Sequence, residues 1–248
     1  MNEERDDIKY MDRAQLKALA RERLHNPAIA RVLRLSSIVI ILIAILFGTY
    51  IYLLPSGKLS SSNDTMTIAR ELVSSRQQSQ MWSMLSDFAS MFFIAGFNFT
   101  ALDVIRNKDA EISISHTLLR VFNGRYFWLV LGTQILVNLA TSIGFMLLII
   151  PGVLLSFGLM LTTFVLYDTR ERQPRVDLFK VLADAYRITR GHKFDLFVLG
   201  LSFFWWDLLG VITAGIGFIW IYPYIQLTTA AYYEQLRLRY EDEHPQAD

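Results

Sequence analysis

Long apolar segments dominate the pattern along this chain. Residues 126–167 contain no Asp, Glu, Lys or Arg, and residues 196–233 contain a single acid, Asp207. Each run has room for two passes through a bilayer, because about 20 residues cross its hydrocarbon. The dipeptide Pro151-Gly152 and the segment 214–217 divide the two runs into hairpins. Together with two earlier apolar segments, the pattern predicts six membrane-spanning helices, at about 35–54, 81–103, 126–149, 151–168, 194–213 and 217–235.

The basic residues predict the orientation of these spans. Of the 24 Lys and Arg residues, 21 fall in residues 1–34, 104–126, 169–193 and 236–248, which all lie on one side of the predicted spans. Because cytoplasmic loops are enriched in Lys and Arg, both termini are expected in the cytoplasm. The domain organisation is then an amphipathic cytoplasmic segment (1–34), a membrane domain (35–236) and a polar cytoplasmic tail (237–248).

Three short amphipathic helices are predicted before the hairpins, at 12–24, 109–122 and 177–190. Basic helices of this type commonly lie in the headgroup layer of a membrane. They either brace the bundle from below or bind anionic lipid or a cytoplasmic partner. For the second alternative, the candidate lipid contacts are Arg13, Lys17, Arg21, Arg187, Arg190 and Lys193.

A repeat of about 65 residues relates the three hairpins. Each hairpin ends in an apolar stretch followed by an acid, and these acids are Asp103, Asp168 and Glu234. They are expected at the cytoplasmic edge, where they pair with nearby basic residues such as Arg106, Arg170 and Arg237, as Asp195 does with Lys193. The alternative is a ring of acids around a cytoplasmic vestibule. The repeat predicts three hairpins that all enter the membrane from the same side.

Polar residues inside the spans are the candidates for a binding cavity, because buried ionisable groups in a membrane are costly. Asp87 and Asp207 are both predicted in the outer half of the membrane, and Gln134 and Asn138 face one side of the third span. The four residues are candidates for the lining of one polar cavity. The alternative is that the two acids lie near the outer interface or hydrogen-bond to neighbouring polar side chains for packing.

Composition excludes several classes of function. The chain is 53% hydrophobic and 19% charged, has a net charge of +1 and contains no cysteine, which excludes thiolate metal sites and cysteine nucleophiles. It has no zinc-protease, serine-hydrolase or Walker motif, and its four histidines lack ligand spacing. We therefore predict no catalytic site, no metal and no cofactor. The basic segments lack the aromatic residues that nucleic-acid binding would require.

The last third of the chain resembles the DUF975 family of predicted bacterial membrane proteins, which occur chiefly in Gram-positive bacteria. The resemblance rests on the segments 195–207, 215–220, 222–224 and 231–234, with further matches at 148–152, 167–168, 191–196 and 13–24. It implies a helical plasma-membrane protein without a general assigned activity. The family pattern does not require an acid at the position of Asp207.

These observations predict a non-enzymatic integral protein of the bacterial plasma membrane that acts in the cell envelope. The expected partners are membrane lipids, and a membrane-protein partner or a second copy of the chain. The alternative is a transporter or permease component that moves a small solute or lipid through a polar intramembrane cavity. An intramembrane hydrolase or transferase is a third class that no motif favours.

Overall fold

The computed structural model describes residues 7–53, 65–106 and 112–244, and every regular element in these ranges is a helix. The helices are α1 (Arg13–His25), α2 (Pro27–Leu53), α3 (Thr65–Ile105), α4 (Ile114–Leu119), α5 (Phe127–Leu147), α6 (Ile149–Leu159), α7 (Thr162–Arg172), α8 (Leu178–Ile188), α9 (Lys193–Ile212) and α10 (Phe218–Glu243). A turn of 3-10 helix, Arg120–Phe122, follows α4.

Five segments in the described part of the chain are long and apolar enough to cross a membrane: Pro27–Leu46, Phe88–Ile105, Phe127–Leu147, Ile149–Arg172 and Lys193–Ile212. The prediction of an all-helical chain with several candidate spans is confirmed. The sixth predicted span, 217–235, coincides with the first part of α10, which begins at Phe218 and is long enough but not apolar enough to be counted as a candidate span.

Both predicted breaks between helices are present. Leu148 alone separates α5 from α6, with extended backbone angles of φ −166° and ψ 155°, and Pro151 lies in the first turn of α6. At the other break, Ala214 and Gly215 have φ of +53° and +89°. The left-handed conformation suits a glycine and reverses the chain between α9 and α10. The fourth predicted span, expected to be continuous, is interrupted between α6 and α7 at residues 160–161.

The buried core lies towards the end of the bundle that contains Asp103, Asp168 and Glu234. Helix α10 occupies its centre and packs against α1, α2, α3 and α9. Most residues of α10 from Leu227 to Arg237 are buried, as are the end of α3 and the first half of α7. This arrangement places the hairpin-ending acids inside the protein.

The opposite end of the bundle exposes large apolar side chains. Met146 is 90% exposed, and Trp205 is 71% exposed. Apolar surface of this extent is unusual on a protein surrounded by water. The described helices therefore have the length and the exposed apolar surface that membrane-spanning helices require, and the α5–α6 and α9–α10 turns lie at the apolar end.

Helices are present at the positions of the three predicted amphipathic helices: α1, α4 with its 3-10 turn, and α8. Helix α1 begins in a capping box between Asp12 and Gln15, and it buries Leu16 and Ala20. The beginning of the second predicted helix, residues 109–111, lies outside the described residues. In α8 the buried side chains are Val181 and Ala185.

Candidate functional site

A buried cluster joins α3, α7 and the 3-10 turn at the end of the bundle that contains the hairpin-ending acids. Arg120 Nη1 donates to Asp103 Oδ2 over 2.7 Å, and Tyr167 OH donates to Asp103 Oδ1 over 2.8 Å. Arg120 Nη2 also donates to the Tyr167 hydroxyl oxygen, at 2.9 Å. Its guanidinium lies 4.9 Å from the centre of the Tyr167 ring. One cation thus contacts both a carboxylate and an aromatic face.

A second buried cluster joins α3, α7 and α10. Arg106 donates from two nitrogens to Asp168, at 2.5 and 2.8 Å, and from Nη2 to Glu234 Oε2 at 2.6 Å. Arg237 Nη2 donates to Glu234 Oε1 at 2.9 Å, and Tyr233 OH donates to Asp168 Oδ2 at 2.7 Å. Two guanidinium groups therefore face two carboxylates. Such forked, charge-assisted contacts are strong and directional.

The arginines of both clusters remain charged. Burial alone lowers the pKa of Arg106, but the hydrogen bonds and charges of Asp168 and Glu234 raise it above its ordinary value. For Arg120, burial is likewise outweighed by Tyr167 and Asp103, so its pKa is also raised. The clusters are consequently fixed ion pairs, and a change of pH near neutrality does not discharge these arginines.

The two clusters repeat one contact at equivalent positions of successive hairpins. Tyr167 donates to Asp103, and Tyr233 donates to Asp168, in each case to the acid of the preceding hairpin. Tyr167 also stacks on Phe99 at 4.7 Å, and Tyr233 stacks on Phe164 at 5.4 Å, both with an angle of 19° between the rings. This recurrence supports the predicted repeat. We call the two clusters together the ionic joint.

The sequence predicted the basic partners of these three acids correctly only in part. Glu234 does pair with Arg237, as expected. Arg106 reaches the acids of the other two hairpins, Asp168 and Glu234. Asp103, Asp168 and Glu234 are 8%, 7% and 1% exposed, so they form a packed contact and do not surround a water-filled vestibule.

A cavity of about 270 Å³ lies between α3, α5 and α7. Its lining includes Ser90, Ile94, Thr133, Gln134 and Thr163. Thr133 is 4% exposed, and its hydroxyl has no hydrogen-bond partner within the described part of the chain. We call this space the core cavity.

The four residues predicted to share one polar cavity are placed differently. Gln134 lines the core cavity. Asn138 is exposed and accepts a hydrogen bond from Gln134 Nε2 over 3.4 Å. Asp207 is exposed on α9 and is not part of the lining. The side chain of Asp87 lies outside the described residues, so the shared cavity stays a prediction.

The predicted lipid contacts of α1 face other helices. Lys17 Nζ donates to Ser202 Oγ over 2.7 Å and lies 5.2 Å from the Phe203 ring centre. Burial there, together with the charges of Arg21 and Arg13, lowers the pKa of Lys17. These contacts fit the bracing alternative for α1. The same holds for Arg13, which lies 3.9 Å from Asp195, and for Arg21, which hydrogen-bonds to Tyr224.

The remaining predicted lipid contacts lie at the end of α8 and in the turn after it. Arg187 and Arg190 are exposed and line a second cavity of about 460 Å³, together with His192 and Arg239. We call this space the inner cavity. Lys193 is not in its lining, and its ammonium nitrogen lies 3.7 Å from the ring centre of Tyr186.

Gly191 allows the turn that brings three of these side chains together. Its φ of +87° ends α8 in a left-handed conformation, in which glycine carries no steric penalty. The amide of Arg190 donates to the carbonyl of Arg187, and that of His192 donates to the carbonyl of Thr189. In the described ranges no group of three or more His, Asp or Glu side chains is arranged to hold a metal ion.

Comparison with known proteins gives one match. Residues 142–240 match the family model DUF975, whose description is protein of unknown function. This match supports, over residues 142–240, the family resemblance that the sequence predicted. No curated protein and no solved structure matches the chain. The DUF975 match begins near the end of α5 and ends within α10, so it includes the segments on which the resemblance was most specific.

The DUF975 segment contains only part of the ionic joint but includes all three arginines of the inner cavity. Asp103, Arg106 and Arg120 precede the match, and their partners on α7 and α10 lie within it. Four residues that line the inner cavity lie inside the match, namely Arg187, Arg190, His192 and Arg239, whereas Glu243 and His244 of the same lining follow it.

Sequence reasoning missed Arg239 and His192 as members of one site. Arg239 is 47 or more residues away from the others along the chain, and only the packing of α10 beside α8 places it there. The sequence could have shown that Arg187, Arg190 and His192 lie close together, because they surround Gly191, a glycine that ends a helix.

Proposed function

We propose that this protein is a six-span integral membrane protein of the bacterial plasma membrane, with both termini in the cytoplasm. It acts without catalysing a reaction, by binding anionic lipid at its inner face. A membrane-protein partner, or a second copy of the chain, would bind through its lipid-facing surface. Five candidate spans and the exposed apolar end of the bundle support the membrane location.

The sixth span of this proposal is α10. Its low hydropathy comes from Thr, Tyr and Gln side chains such as Thr228, Thr229 and Gln235, all of which are buried. A helix in the centre of a membrane bundle faces other helices and needs little apolar surface of its own. Helix α10 packs against α1, α2, α3 and α9, which is the environment such a helix requires.

The inner cavity is the observation that carries lipid binding. It lies directly before α9, whose candidate span begins at Lys193, one residue after His192. The cavity is therefore level with the end of the apolar part of the bundle, where lipid headgroups are found. Guanidinium groups match the geometry and the charge of phosphate oxygens.

Transport through the core cavity is the second candidate. Thr133 and Gln134 give that cavity polar groups inside the bundle. Asn138 and Asp207, which were expected to extend the lining, are exposed. The inner cavity is larger than the core cavity and is lined by three arginines. We therefore place lipid binding before transport.

Native mass spectrometry of the full chain, gently extracted from its own membrane, tests the proposed function. We expect anionic lipid to remain bound, and we expect the Arg187→Gln/Arg190→Gln variant to carry at least tenfold less, because each charge-assisted contact contributes about 1.5–3 kcal/mol. Arg31→Gln/Arg175→Gln removes the same charge from exposed positions outside both cavities and should match the wild type. An extracted protein without preference for anionic lipid would contradict the proposal.

A further inference from the structure

The lining of the inner cavity has an excess of two positive charges. Arg187, Arg190 and Arg239 contribute three guanidinium groups, and Glu243 contributes the one carboxylate. A phosphomonoester carries a charge of about −1.5 to −2 near pH 7, whereas a phosphodiester carries one negative charge. The charge of the cavity therefore matches a monoester better than a diester.

Two of the donors, Arg239 and Arg187, are oriented by contacts with residues outside the cavity. Arg239 Nε donates to the backbone carbonyl of Lys9 over 2.9 Å, which fixes that guanidinium and leaves its terminal nitrogens for a ligand. Arg187 Nη1 lies 3.6 Å from Asp184 Oδ1, a distance longer than a hydrogen bond, so this pair orients the arginine without saturating it. Donors that are already oriented lose less entropy when they bind.

His192 adds a fourth group on the same side. Its Nδ1 lies 3.4 Å from Asp195 Oδ2, so the other ring nitrogen remains for the cavity. Arg190 is exposed, and within the described part of the chain its guanidinium makes no hydrogen bond or ion pair. Three guanidinium groups and one imidazole can together satisfy the several acceptor oxygens of a terminal phosphate.

The surroundings favour a lipid as the source of this phosphate. Phe194, two residues after His192, is 73% exposed at the start of the candidate span Lys193–Ile212. Phe197, one turn further on, is 43% exposed. A ligand with a phosphate in the inner cavity and acyl chains along α9 would cover both the charged and the apolar surface.

We propose that the inner cavity binds the phosphomonoester headgroup of a membrane lipid, in preference to phosphodiester lipids. This inference rests on the proposed function and narrows it to one chemical class. The binding groups are Arg187, Arg190 and Arg239, with His192 as the fourth donor. The headgroup enters from the membrane edge next to α9.

The test uses the full chain in phosphatidylcholine nanodiscs that contain either phosphatidic acid or phosphatidylglycerol. Retained lipid is counted by native mass spectrometry. We expect phosphatidic acid to be retained several-fold better than phosphatidylglycerol. In Arg190→Gln this preference should be lost, with the two lipids retained about equally, because one charge-assisted contact to the phosphate is removed. Arg175→Gln, an exposed cation outside the cavity, should keep the preference. Thermal unfolding in the same nanodiscs shows whether each variant is folded.

The outcomes separate this inference from the proposed function. Equal retention of the two anionic lipids, both above phosphatidylcholine, would overturn the phosphomonoester preference and leave anionic-lipid binding intact. Retention of neither would overturn both. A third arm adds glycerol 3-phosphate as a competitor. If it displaced phosphatidic acid at comparable concentration, the ligand would be a soluble phosphomonoester, and the lipid source would be wrong.

Discussion

Arg106→Gln is expected to destabilise the protein more than any other single substitution considered in the ionic joint. The variant removes one of two guanidinium groups that face Asp168 and Glu234, two acids that are 7% and 1% exposed. Loss of one partner from a buried ion pair costs about 3–5 kcal/mol, because a charge remains uncompensated in a poorly solvated site. For a chain of this size the midpoint of thermal unfolding should fall by about 10 °C. Tryptophan fluorescence in detergent measures it.

Two further variants test whether the unpaired buried charge causes the loss of stability in Arg106→Gln. Arg125→Gln removes a half-exposed arginine that lies 3.5 Å from Glu171, and it should change stability by less than about 1 kcal/mol. Arg106→Met combined with Asp168→Asn removes one charge of each sign and should recover part of the loss. An Arg106→Gln midpoint within error of the wild type would contradict the account of the joint.

Gly152→Ala is expected to force α5 and α6 apart. A β-carbon at this position would lie 2.5 Å from the ring of Phe145 and 2.8 Å from the Phe145 backbone nitrogen, and a backbone atom cannot move aside without shifting its helix. Overpacking of this type costs about 1–3 kcal/mol. Small residues at helix contacts are a common device of membrane bundles.

Gly200→Ala is the matched control for that prediction. Gly200 lies inside α9, and a β-carbon there meets no atom within 4 Å. Alanine should then stabilise the helix, by up to about 1 kcal/mol, through its better helix propensity. The two substitutions thus differ in sign, and equal unfolding midpoints would contradict the close contact between α5 and α6.

The helices and their breaks were predictable because hydropathy and turn chemistry are local properties of the chain. Pro151 in the first turn of α6 and Gly215 in the α9–α10 turn follow from their backbone preferences. The hairpin-ending acids were predictable from their regular spacing of about 65 residues along the chain. The interruption between α6 and α7 could not be predicted, because residues 160–161 contain neither proline nor glycine.

The partners of long polar side chains could not be predicted in the same way. Arg106 lies three residues after Asp103, yet it spans to Asp168 and Glu234 on other helices. Lys17 was a candidate lipid contact under one of the two alternatives for α1, and in the structure its ammonium group donates to Ser202 on α9. Helical periodicity gives the face on which a residue lies, and only the packing of whole helices decides what that face meets.

The central claim is that six helices cross the membrane and that the inner cavity is cytoplasmic. Since the chain has no cysteine, single cysteines can be labelled without background. Thr65→Cys, Arg175→Cys and Ala247→Cys would be treated in intact cells with a membrane-impermeant maleimide. The account predicts labelling at position 65 alone, with positions 175 and 247 labelled only after permeabilisation. Labelling of Ala247→Cys in intact cells would mean that α10 does not cross the membrane and would contradict the six-span topology.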